Sequence, residues 1–169
     1  EKDLYEVAYE NTLEKRKASI LNMKDIIKDM IIERITGSTD VLAEDVEYNG
    51  KSKEEIEEMV DEEIDKIKKR QPMEMFILTN DIKTNGAICM IYPNVIKDFA
   101  NEQGTDIFII PSSVHEVILV PKKTGSAKRL NEILNDVNQN SVDPIEVLSN
   151  RVYSYSRDTD EIVIEELKY

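Results

Sequence analysis

One histidine and one cysteine, His115 and Cys89, are all the imidazole and thiol this chain possesses. His115 follows the serine pair Ser112 and Ser113 and precedes Glu116, so S-S-V-H-E gathers two hydroxyls, an imidazole and a carboxylate. An imidazole that trades protons near neutrality can activate a serine or cysteine for acyl transfer, or act as a general base with a carboxylate beside it. The first alternative is a hydrolase-type enzyme in which His115 works on Ser112, Ser113 or Cys89. Asn80 and the pair Asn85-Gly86 add polar groups where an apolar run ends.

Each of these groups also has a purely structural role open to it. Successive side chains of a strand point to opposite faces, so a regular strand would separate His115 from Glu116; only a bulge or loop would let them act together. Serine hydroxyls in a tight turn satisfy backbone groups, and the sharp strand-to-helix setting of a G-x-S-x-G nucleophile is missing. Cys89 lies in an apolar run, where thiols are usually buried and unreactive. With one histidine and one cysteine, no zinc spacing, calcium loop or glycine-rich phosphate motif appears, and no cofactor is implied.

The elements that must position these groups follow from the pattern. Ile107–Ile110 and Val117–Val120 are β-rich apolar runs, each ending at a proline, and read as paired central strands beneath covering helices. Met75–Thr79 and Gly86–Tyr92 read as a hairpin, and Val152–Ser156 with Ile162–Leu167 as a second, terminal one. Helices are expected over 3–13, where Leu4, Val7 and Ala8 form a stripe, and after Asn22, with Gly37 as the stop. A further helix should run from the Ser52–Glu55 capping box to about Arg70, with Glu62–Lys66 and Asp65–Lys69 as ion pairs along it. Pro93 opens another helix that ends at Gly104, Ser126 caps one more, and Asp143-Pro144 begins a short helical turn. Asn49-Gly50 marks a turn. The expected class is α+β: a largely antiparallel sheet of five or six strands with covering helices and an N-terminal helical segment. The expected division is a helical segment over 1–71 and an α+β domain over 72–169.

Bulk properties narrow the function. A chain of 169 residues with 40% hydrophobic and 34% charged content is a globular protein long enough to bury a core without disulfides. A net charge of -13 argues against nucleic acid and against an anionic membrane surface, both of which need clustered lysine and arginine. A single cysteine fits a reducing compartment, so the expected location is cytoplasmic. The chain begins at Glu1 without a methionine and is expected to be part of a longer or processed protein.

Three blocks carry a resemblance. P-M-E-M-F-I-L-T-N-D-I-K-T-N-G-A-I-C-M-I-Y, F-I-I-P-S-S-V-H-E-V-I-L-V-P and V-L-S-N-R-V-Y-S-Y-S-R-D-T stand in the order typical of the bacterial domain-of-unknown-function family 5688. D-L-Y-E-V-A-Y-E-N-T resembles that family's upstream helix. The chain departs from the pattern at Ser156, where an aspartate is usual. The resemblance implies no activity.

Without a catalytic or metal constellation, the expected function is a binding or regulatory module for a protein or small molecule, with its recognition surface at Asn80, Ser112, Ser113, His115 and Glu116. The hydrolase is the alternative, and a subunit of a larger complex is a third possibility.

Overall fold

A computed structural model describes residues 2–37, 52–70, 72–111 and 113–165. The expected turn at Asn49-Gly50, the serine Ser112 and the chain beyond residue 165 lie outside the described residues. The chain forms two compact units, residues 1–20 with 74–169, and residues 21–73. Residues 1–20 thus group with the sheet rather than with the helices that follow them.

The larger unit is an α+β structure around a six-stranded antiparallel sheet of order β1-β2-β4-β3-β5-β6. The strands are β1 Ala18–Asn22, β2 Phe76–Asn80, β3 Ile107–Ile110, β4 Val117–Pro121, β5 Tyr153–Ser156 and β6 Glu161–Ile164. The two proline-ended runs pair at the centre, with Ile109 opposite Leu119 and Phe108 opposite Val120. Every residue of β3 is buried, as a strand covered on both faces requires. On one face Phe76, Leu119, Ile109 and Tyr153 form a row across neighbouring strands. This face packs against Cys89, Tyr92, Ile96, Phe99 and Leu13. These come from α1 (Lys2–Lys15), a 3-10 helix (Gly86–Ile91) with the residue after it, and the next α-helix, Val95–Gln103. The Phe76 and Phe99 rings meet edge to face, 4.9 Å between centroids. Helix Ala127–Asn140 contributes the buried Leu130 and Leu134 and contacts β3.

The smaller unit contains α2 (Met23–Thr36) and α3 (Lys53–Arg70), so Val95–Gln103 is α4 and Ala127–Asn140 is α5. Both caps expected of α2 form: Asn22 Oδ1 accepts from the Lys24 N–H, and Gly37 ends the helix at φ 74°. At α3, Ser52 N–H donates to Glu55 and Glu55 N–H donates to Ser52 Oγ, a reciprocal capping box. Ile31 and Ile32 bury against Ile56, Val60 and Ile64, so α2 packs on α3 within this unit.

Several expectations are corrected. Gly86–Tyr92 is not a hairpin strand: β2 pairs with β4, and Gly86–Ile91 coils into a 3-10 helix. Asn85 at φ 52° turns the chain, and Gly86 N–H and Ala87 N–H donate to His115 O and Val114 O, drawing the segment onto the sheet's end. Ala18–Asn22 is a strand that the pattern did not announce. Residues 144–146 form a turn rather than a helical one, held by Ile145 N–H on Asp143 Oδ1 at 3.0 Å. Ser126 stands at the α5 N-cap without a capping hydrogen bond. The Leu4 and Val7 stripe of α1 is exposed; the helix meets the core through Leu13. On α3, Lys68 pairs with Asp65 at i,i+3, while Lys66 approaches Glu62 as expected.

Candidate functional site

The S-S-V-H-E joint lies before β4, with residues 113–116 outside the strand proper. The loop gives His115 and Glu116 the freedom that a regular strand denies them, yet Glu116 does not join the histidine. The imidazole is held from two other directions. Asn85 N–H donates to His115 Nδ1 at 3.1 Å, and His115 Nε2 lies 3.1 Å from Glu146 Oε1. Since Nδ1 accepts an amide proton, the neutral ring carries its own proton on Nε2 and donates it to Glu146. The backbone repeats these ties: Val114 N–H donates to Glu146 O, and Ser113 bridges to Val147. His115 therefore joins three segments, the loop 80–86, the joint 113–116 and the turn 143–147.

Ser113 is equally committed. Its Oγ accepts from the His115 N–H at 3.0 Å, a local turn of the kind serine favours. No ring nitrogen of His115 is left for its hydroxyl. Cys89 is fully buried among the core residues; burial pushes its thiol pKa up, and its neighbour is Tyr92 rather than His115. The nucleophile–base contact that a hydrolase needs is not formed among the described residues; Ser112 is not one of them. Nor do three or more metal-ligating side chains converge among the described residues.

Asn80, buried at the end of β2, organises the next loop. Its Oδ1 accepts from the N–H groups of Ile82 and Thr84, both at 3.2 Å, and its Nδ2 donates to Thr84 O at 2.8 Å. Lys83 and Asn85 then take left-handed φ values of 54° and 52°. Gly86 is required where it stands: a Cβ there would meet the Thr79 hydroxyl and come within 2.6 Å of Asn80 N and 2.7 Å of His115 O. Thr79 Oγ1 donates to the same His115 carbonyl at 2.9 Å.

This hydrogen-bonded loop forms one wall of a cleft of about 380 Å³ lined by Thr12, Arg16, Asn80, Ile82, Thr84, Asn85 and Ile88. The end of α1 is the other wall, tied across by Asp81 N–H to Lys17 O at 3.0 Å and Tyr9 Oη to Ile91 O at 3.1 Å. Ile82 and Ile88 are exposed at its surface. Of the four expected site residues that are described, Asn80, Ser113, His115 and Glu116, only Asn80 lines this cleft. His115 stands behind it, holding Asn85. Arg16, Ile82, Ile88 and Glu146 were not anticipated; the first three carry no motif, and Glu146 meets His115 only through the folded chain.

A family model described as a family of unknown function, DUF5688, matches residues 1–157. The chain belongs to this family. No curated protein and no solved structure matches it at a significant level. In this DUF5688 chain the N-G-A and S-S-V-H-E blocks are parts of one structure, joined by Asn85, Gly86 and Ala87 donating to His115 and Val114. No described helix is long and apolar enough to cross a membrane.

Proposed function

We propose that this chain is a non-catalytic binding module whose recognition site is the cleft between the end of α1 and the Asn80–Asn85 loop. The observation that carries the proposal is the cleft itself. Its polar wall is pre-built by the Asn80 side chain, and its apolar residues, Ile82 and Ile88, stand unpacked at the surface. Pre-formed concavities with apolar walls and a few polar groups are where small ligands and peptide segments bind. Support also comes from His115, whose two ring nitrogens are occupied by Asn85 and Glu146, as suits a positioning residue rather than a base. A cytoplasmic setting belongs to the same proposal, on the strength of the single buried thiol. The net charge of -13 supports a small molecule or protein over nucleic acid or an anionic membrane.

The test is a fragment screen by thermal shift on the wild type and Ile82→Asp, which puts a charge on the apolar wall without touching the core. Fragments that stabilise the wild type and lose their effect in the variant are expected. Hits that stabilise both proteins equally would place binding elsewhere. Turnover of an activated ester that disappears in His115→Ala would replace this reading with the hydrolase.

A further inference from the structure

The cleft holds one charged side chain, Arg16, among six uncharged neighbours. In a chain with 35 acidic and 22 basic residues, an arginine normally has a carboxylate to meet. Arg16 has none among the described residues; its guanidinium makes a single long contact to its neighbour's carbonyl, Lys15 O, at 3.4 Å. The lining itself holds no acid among the described residues, and Glu14, two residues before Arg16, falls on the side of α1 opposite Thr12. The polar groups sort further. Thr12 Oγ1 donates to Ala8 O, Thr84 Oγ1 to Ile82 O, and the Asn80 amide is consumed by its loop. The Asn85 side-chain amide makes no hydrogen bond among the described residues, although its backbone N–H is fixed by His115. An open guanidinium and an open amide thus share a small cleft whose apolar lining is the exposed pair Ile82 and Ile88.

We infer that the cleft takes a small aliphatic carboxylate, with the acid on Arg16 and Asn85 Nδ2 and the hydrocarbon along Ile82 and Ile88. This rests on the cleft being the binding site. Guanidinium donates to carboxylate in charge-assisted hydrogen bonds, the strongest polar contact these residues can offer. The volume of about 380 Å³ sits near the lower end of the roughly 300–1,000 Å³ of ligand pockets, so the ligand is small. The same chemistry is presented by a free short-chain acid and by the C-terminal residue of a peptide ending in an aliphatic side chain.

The experiment titrates the full chain, followed by its assigned backbone amide resonances, with octanoate, octanol, the peptide Gly-Gly-Ile and its C-terminal amide. Octanoate or the free peptide should shift the amides of Ile82, Thr84, Asn85 and Ile88, and bind about tenfold tighter than its uncharged counterpart. The tighter of the two acids identifies the source. Arg16→Gln, at an exposed position, should close that gap while leaving the weak binding of octanol. Equal binding of acid and uncharged counterpart at the same amides would overturn the carboxylate and leave the binding cleft standing. A gap that survives Arg16→Gln would overturn the role of Arg16. No shift at these amides with any of the four probes would overturn the inference and the binding cleft together.

Discussion

Asn85 donates its backbone N–H to Nδ1 of His115 across 3.1 Å, and this bond ties the cleft's loop to the joint before β4. It separates two substitutions that look equivalent. Asparagine places an oxygen near the position of Nδ1, whereas glutamine reaches toward that of Nε2. His115→Asn should keep the Asn85 acceptor and lose only the half-exposed contact to Glu146, which is worth little in solvent. His115→Gln and His115→Ala should each lose about 1 kcal/mol for the missing acceptor. Denaturant unfolding of the three variants tests this; equal losses would mean that the Asn85 bond contributes nothing to stability.

Core truncation sets the scale for those losses. Ile109 and Leu119 are fully buried and paired across β3 and β4. Ile109→Ala or Leu119→Ala should cost about 2–5 kcal/mol through lost burial and the cavity left behind. A His115→Ala protein less stable than either would contradict the peripheral placement of the imidazole.

Gly86→Ala should be among the most damaging single changes, at about 3 kcal/mol. Two of the three atoms facing the added methyl are backbone, Asn80 N and His115 O, and cannot swing aside. Adding Thr79→Ala removes only the side-chain obstacle. A double variant restored to wild-type stability would show that the fit against the backbone is not the constraint.

The central strands were legible in the sequence because Ile107–Ile110 and Val117–Val120 are short, apolar and closed by prolines. The Asn22 and Ser52 caps were legible because capping is local. Gly86–Ile91 was not, since a short apolar run has no period that separates strand from helix. Contacts far along the chain decide it, those of Gly86 and Ala87 with His115 and Val114. Glu146 was hidden for the same reason, 31 residues from its partner. Arg16 reads as one cation of a basic trio, and only the fold puts it in a cleft with no acid among its described lining residues. His115 was found as a location; its role came from what occupies its two nitrogens.

Two tyrosines should titrate late. Burial raises the pKa of both Tyr92 and Tyr155 to about 12, assisted at Tyr92 by Cys89 and at Tyr155 by the hydrogen bond to Asp160. The folded state therefore holds these protons after the unfolded chain, with values near 10.0, has released them. Their contribution is complete below pH 10 and is lost as pH rises from about 10 toward 12. Tyr92 and Tyr155 should lag in a phenolate absorbance titration, and Tyr92→Phe and Tyr155→Phe should each remove one late phenolate. A late phase of undiminished amplitude in either variant would assign that share of it to another residue.

Asp160 should dominate local behaviour at the acid end. Its carboxylate accepts from Lys97 Nζ and from Tyr155 Oη, both at 2.6 Å, and these bonds hold its pKa below the usual 3.8, that of Lys97 first. For a depressed carboxylate, stability is present above the unfolded value and is lost as pH falls through the folded one. The wild-type hairpin β5–β6 should loosen on descending below about pH 4. This would be seen as a lower amide-exchange protection factor, corrected for the intrinsic pH dependence of exchange, at Val163 and at Glu165, whose N–H donates to Val152 O. Asn suits this position because the backbone stands at φ 56°, a left-handed conformation that asparagine tolerates. Asp160→Asn should thus fold with the same turn and show hairpin protection factors that change less between pH 6 and 3. Unchanged acid sensitivity in Asp160→Asn would move its origin to another carboxylate on the sheet, with Glu165, paired to Lys122 at 3.4 Å, the next to replace.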